Sequence, residues 1–180
     1  MSILLPVKSS EDILPEYRNT PIGLLLEYHN LNRKFDTFSS AQMLIGMCMD
    51  HRKYLRIPEN FAYIMRTGGA NLLGKEFNIS YAIGVGNVRY MALIGHDHCG
   101  MSKINVHRDE FIQGMAKNAG WTEEYAVKYF DNTVNTFDIG EETHFTLSEV
   151  KRFCNIYPGI NIAPLFYLLD TKTLCQIIEK

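Results

Sequence analysis

Ala41-Gln42-Met43-Leu44-Ile45-Gly46-Met47 is a short apolar run that ends on Cys48-Met49-Asp50-His51-Arg52. A continuous apolar run of this length reads as a strand buried on both faces. Val88 to Gly95 is a run of the same kind, and it ends on His96-Asp97-His98-Cys99. Phe61 to Met65 is a third such strand. Ile162 to Leu169 is a fourth, with an irregular start at Pro164. Leu174 to Ile178 is close enough to it to form a hairpin through Asp170-Thr171-Lys172-Thr173.

Helical patterns lie between the strands. Pro21 to Phe35 carries the apolar stripe Leu24, Leu25, Tyr28 and Leu31, with Pro21 in its first turn. Leu72 to Val85 reads as a helix weakened by Gly74 and Gly84. Two amphipathic pieces cover Asp109–Lys117 and Thr122–Thr133. A last helix spans Thr146 to Ile156, with Thr146 or Ser148 near its start and Pro158-Gly159 beyond its end. Residues 1–20 read as an irregular arm, and Glu141-Glu142 as a solvated loop. Strands alternating with helices predict an α/β fold, a mainly parallel sheet flanked by helices on both faces. Both polar motifs then sit just past the C-terminal ends of strands, where open α/β sheets bind ligands.

The chain of 180 residues reads as one domain over 1–180. Its net charge is −2 and no Lys/Arg cluster is dense, which argues against nucleic acid or an anionic membrane surface as partner. No apolar run approaches the roughly 20 residues of a membrane span. The N-terminus lacks the pattern of a signal peptide, so the expected location is cytoplasmic. The four cysteines, Cys48, Cys99, Cys154 and Cys175, are then expected as free thiols or metal ligands rather than disulfides.

Cys48, His96 and Cys99 are zinc ligands in type and number. Three protein ligands leave one tetrahedral position open, the arrangement of a catalytic zinc. His96 and Cys99 are three apart, so one turn can aim both at one ion, and Cys48 closes the site if the two strands are neighbours. Bound zinc lowers the pKa of a water to about 7 and so supplies hydroxide as a nucleophile. Asp50 and Arg52 alternate with Cys48 in an extended segment. A charge-assisted bond between them would orient the carboxylate toward that water.

Cys48-x-Asp50-x-Arg52 followed by His96-x-x-Cys99-Gly100 resembles the β-class carbonic anhydrases, over roughly residue 20 to the C-terminus. Arg66-Thr67-Gly68-Gly69 sits where that family usually has Arg-Asn-Ala-Gly, and Tyr167-Leu168-Leu169-Asp170 is similar to its C-terminal strand and turn. The short chain resembles the compact branch. The resemblance implies reversible hydration of CO₂ to bicarbonate by zinc-bound hydroxide. Cys48, His96 and Cys99 would be the Zn²⁺ ligands, and Asp50 and Arg52 the catalytic dyad. Asp50 could also swing onto zinc in an inactive closed form. Thr67, Gly68 and Gly69 would line the substrate pocket, with the Gly69 N–H near the substrate. The implied fold is a four-stranded parallel sheet extended by a fifth, antiparallel C-terminal strand. The implied unit is a homodimer or higher homo-oligomer, with the N-terminal arm and helix of residues 1–35 packed on the partner.

Thr67 and Gly68 replace the usual Asn-Ala, Ala70 follows where Gly or Asn is common, and Leu174 stands where a hairpin Gly is often found. The plant-like pocket Gln has no counterpart. These departures leave the ligands intact and bear on substrate. Relatives with the same zinc constellation hydrolyse CS₂ or COS, and a non-catalytic zinc-binding homologue is the third alternative. His51 and His98, inside the motifs, are candidates to carry protons out. His29, His107 and His144 are expected to be structural or solvated, and Cys154 and Cys175 core thiols. Gly84-Val85-Gly86 lacks the third glycine of a dinucleotide loop and precedes its nearest strand. Phe111, Trp121, Tyr125, Tyr129 and Phe130 are expected as core or dimer contacts rather than a substrate box.

Overall fold

The computed structural model describes residues 2–179. Six strands form one sheet: β1 (Ser2–Pro6), β2 (Met43–Cys48), β3 (Ala62–Thr67), β4 (Tyr90–His96), β5 (Asn161–Leu168) and β6 (Thr173–Glu179). Their order is β1-β6-β5-β4-β2-β3. The four strands β3, β2, β4 and β5 run parallel, and β6 is antiparallel to β5, as expected. The arm expected over residues 1–20 is a correction: β1 pairs antiparallel with β6 along its whole length. Five residues with Pro6 at their end carry too little pattern to announce a strand. The free edge of β6 supplies the partner that the local sequence cannot.

Period-two alternation divides the core. Met43, Ile45 and Met47 of β2, with Ala92, Ile94, Ala163, Leu165 and Tyr167, pack under Ile22, Leu25, Leu26 and Tyr28 of α1 (Pro21–Asn30). On the other face, Leu44, Met91 and Leu93 meet Ile79 and Ala82 of α2 (Glu76–Gly84) and Val150 and Phe153 of α5 (Glu142–Ile156). Between them in sequence, α3 (Arg108–Ala119) and α4 (Glu123–Phe137) form a helical hairpin. Its aromatics divide between interior and surface: Phe130 is buried, while Tyr125 and Tyr129 are exposed.

The helix boundaries shift for local reasons. Thr20 caps α1 by accepting the Ile22 and Gly23 amides. The helix stops well before Phe35, because Asn30 turns its side chain to the sheet: Nδ2 donates to Val7 O and Leu174 O, and Oδ1 accepts from Leu174 N. Asn32 then takes a left-handed φ of 54°. Gly74, at φ 74°, keeps α2 from starting at Leu72. Glu141-Glu142 is not a free loop. The Glu141 carboxylate accepts the Thr143 and His144 amides and caps α5, a role for which Glu is an uncommon choice. Thr146, expected near the helix start, instead donates back to Glu142 O at 2.8 Å in the helix interior.

The apolar side of α1 is buried on its own sheet, including Ile22, Leu25, Leu26 and Tyr28. His29 on the same helix is structural. Its Nδ1 accepts from Arg56 N, and burial pulls its pKa down to about 4. His107 pairs with Glu110 on the surface. Cys175 is buried, but Cys154 is exposed, a correction to its reading as a core thiol. Cys154 falls on the outward side of α5, whose buried positions are Thr146, Glu149, Val150 and Phe153. Among the described residues, no helix is long and apolar enough to cross a membrane.

Candidate metal centre

The parallel register aligns Met47 of β2 with Ile94 of β4, so Cys48 and His96 emerge at the same end of adjacent strands. The chain leaving His96 turns at once, with Asp97 Oδ1 accepting the Leu169 amide at 2.9 Å. His98 takes a left-handed φ of 51°, and this turn brings Cys99 back. The ligand atoms of Cys48, His96 and Cys99 all lie within 4.8 Å of one another, and all three residues are buried.

The donor set fits zinc. Two sulfurs on a tetrahedral zinc, each about 2.3 Å from the ion, sit about 3.8 Å apart; Cys48 Sγ and Cys99 Sγ are 3.9 Å apart. His96 Nδ1 is 2.8 Å from the Asp97 carbonyl oxygen. A carbonyl only accepts, so Nδ1 carries the proton and Nε2 keeps its lone pair. That Nε2 is buried and has no hydrogen-bond partner among the described residues, as an atom awaiting a metal would be. The Cys99 donor draws Cys48 down toward the thiolate, and the same contact holds Cys99 up as the thiol. A bound divalent cation would deprotonate both.

Asp50 and Arg52 meet as expected. Arg52 Nε donates to both Asp50 oxygens at 3.0 and 3.1 Å, and Nη2 donates to Oδ2. Arg52 Nη2 also donates to His98 O at 3.0 Å, which ties the two motifs together. The Arg52 hydrogen bonds hold the Asp50 carboxyl far below the ordinary carboxylate range, so it is ionised at neutral pH. Cys48, Met49, Asp50, His51, Arg52, His98, Gly100 and Met101 line one open cavity of about 580 Å³.

Thr67, Gly68 and Gly69 stand behind this cavity and are not among its lining residues. Gly69 has φ 63°, and its N–H donates to Cys48 Sγ at 3.3 Å. Its amide thus supports the Cys48 sulfur. A side chain at Gly69 would be strained by the backbone and would meet Ile139 Cγ2 at 2.7 Å. Thr67 accepts the Met49 amide on its carbonyl at 2.9 Å, and its Oγ1 is buried without a partner among the described residues.

Three further residues belong to the centre: Lys53, which the sequence does not single out, Arg66, which it places only in the glycine-loop motif, and Glu142, which it reads as solvated. Lys53 is buried, at 3 % exposure, and its Nζ has no hydrogen-bond partner among the described residues. Desolvation pulls its pKa down to about 8, against the opposing pull of Cys48, Asp50 and Cys99. Arg66 explains why Lys53 is inside. Its guanidinium bridges Cys48 O at 3.3 Å and Lys53 O at 3.2 Å, drawing the loop onto β3. Glu142, in the first turn of α5, accepts the Cys99 amide on Oε1 at 3.4 Å. The available signal is the set of cations Arg52, Lys53, Arg56 and Arg66 around one motif, which does not say which of them is buried.

Neither a protein-family profile nor a curated protein matches this sequence. Solved structures do match in shape. The β-carbonic anhydrase isoform I of Trichomonas vaginalis superposes with a TM-score of 0.64 at 17% identity, covering 81% of this chain and 88% of that one. The carbonic anhydrase of Streptococcus mutans gives 0.60 at 14% identity, over 91% and 99% of the two chains. The apo form of a carbon disulfide hydrolase gives 0.54 at 18% identity, over 75% and 77%. The chain has the β-carbonic-anhydrase fold.

Proposed function

We propose that this protein is a zinc-dependent carbonic anhydrase that interconverts CO₂ and bicarbonate. The observation that carries the reading is the meeting of Cys48, the free Nε2 of His96 and Cys99 beside an ionised Asp50–Arg52 pair, with Cys48, Asp50 and Arg52 lining an open cavity. Cys48, His96 and Cys99 would hold the ion, which supplies a Lewis acid that activates water near neutral pH. The chain's own groups do the rest. Arg52 fixes the carboxylate in place through paired donors. Asp50, ionised, can only accept, so it orients the attacking water by taking its hydrogen bond. The Gly69 amide and Arg66 fix Cys48 from behind.

A second reading, hydrolysis of CS₂ or COS by the same groups, is favoured by the likeness to the carbon disulfide hydrolase. We further propose a homodimer as the working unit. β3 is a sheet edge, and Tyr63 and Ile64 on it, with Phe77 and Tyr81 of α2, leave an exposed apolar face beside it. The zinc-loaded protein should hydrate CO₂ in a stopped-flow assay, run with COS and CS₂ in parallel. Zinc-replete protein inactive on all three, even above pH 8, would refute an enzymatic role.

A further inference from the structure

Met101 lies between the cavity and the Gly68–Gly69 loop. One side of it lines the cavity together with Cys48, Asp50 and Gly100. Its other side covers the two glycines. A β-carbon on Gly68 would come within 2.9 Å of Met101 Cε, 3.1 Å of Sδ and 3.3 Å of Cγ. A β-carbon on Gly69 would come within 3.1 Å of Met101 Cβ. The whole thioether chain therefore occupies the seat that the missing side chain of Gly68 leaves open. Its backbone is pinned. Met101 O accepts from Ile139 N at 3.0 Å, and the next residue donates from Ser102 N to Cys99 O at 3.0 Å. The side chain itself is unbranched and packs against the cluster of Cys48, Cys99 and Ile139.

We infer that Met101, seated on Gly68, is the specificity-determining wall of the site and sets which linear heteroallene the cavity accepts beside the ligand cluster. This rests on the function proposed above and narrows it. With Met101 lying on Gly68, the cavity is held back from the loop. Shortening Met101 opens the cavity down to the Gly68–Gly69 backbone and admits the longer, sulfur-bearing substrates. A methyl on Gly68 evicts the thioether from its seat and pushes it into the cavity, which excludes them. A single methylene in an apolar pocket changes discrimination by about tenfold or more, so either change should be measurable.

The test compares wild type with Met101→Ala and Gly68→Ala, all zinc-loaded and with metal content verified. The first readout is the ratio of kcat/KM for COS to that for CO₂. It should rise about tenfold in Met101→Ala and fall about tenfold in Gly68→Ala. The second needs no turnover. Cyanate and thiocyanate are linear triatomic anions with the shapes of CO₂ and COS, and calorimetry gives their relative affinities. The thiocyanate-to-cyanate ratio should move in the same two directions. Ratios within twofold of wild type in both variants overturn the inference. If no variant turns over any substrate and the anion ratio still moves, the proposed reaction fails and the role of Met101 stands. If turnover is intact and neither ratio moves, Met101 alone is refuted.

Discussion

On the solvent side of the three ligands stand Asp50, Arg52, His51 and His98, all facing an open cavity. On the protein side stand Lys53, Arg66 and Gly69, which hold the loop and the ligand sulfur from behind. The two sides contain similar chemistry but different surroundings. Arg52 is exposed and holds the half-buried Asp50 carboxylate through paired hydrogen bonds, so each charge on this side has a partner. The Lys53 ammonium is dry and has no partner among the described residues, so it bears a desolvation penalty and is held by the fold around it. The difference places a paired, solvent-facing charge couple on one side and an unpaired buried charge on the other.

The comparison breaks most severely if the ligands between the two sides are removed. Cys48→Ser is expected to abolish zinc uptake, as measured by metal analysis after dialysis, and to lower turnover by about a thousandfold or more. Retention of stoichiometric zinc would remove Cys48 from the ligand set. On the solvent side alone, Arg52→Ala frees Asp50 without touching a ligand. Zinc content should stay at wild-type level while kcat falls about a hundredfold. An unchanged kcat would mean that Asp50 needs no orienting partner.

The smallest effect belongs to the protein side. The folded-state pKa of Lys53, about 8, lies below its ordinary 10.5. Below pH 8 the ammonium is charged in both states and the folded state carries the whole penalty. From there to about 10.5 only the unfolded chain keeps the proton, so stability rises with pH. In the metal-free protein, Lys53→Met should raise unfolding stability by about 2 kcal/mol at pH 7 and flatten that rise. Urea unfolding at several pH values measures both. A loss of stability would show that the ammonium has a compensating partner.

The solvent side is legible in the sequence. Cys48, Asp50, Arg52, His96 and Cys99 are motif residues whose chemistry is written in type and spacing, and the strands that carry them are continuous apolar runs. The protein side is not. Arg66 reaches Cys48 O and Lys53 O only because β2 and β3 pair in a register that puts Cys48 opposite Thr67. Lys53 follows Arg52 in a polar stretch, and nothing local marks it as the one that is buried. Glu142 reads as solvated for the same reason, since its contact with Cys99 depends on where α5 docks. Gly95 permits that docking: a β-carbon there would meet Thr146 Oγ1 at 2.3 Å. The glycine loop shows the limit differently. Its composition marks it as special, yet the target of the Gly69 amide is a sulfur from another strand.

The sequence by itself determined the alternating α/β pattern, the parallel strands and the three donors of one candidate metal site. Apolar runs and ligand types act locally, through burial and coordination chemistry that any fold must satisfy. Only the tertiary structure decided that β1 closes the sheet against β6, that α1 is buried on its own chain, and that Lys53 is dry while Arg52 is wet. Each of these depends on which surfaces meet, and a side chain's solvation is set by its neighbours in space rather than by those in sequence.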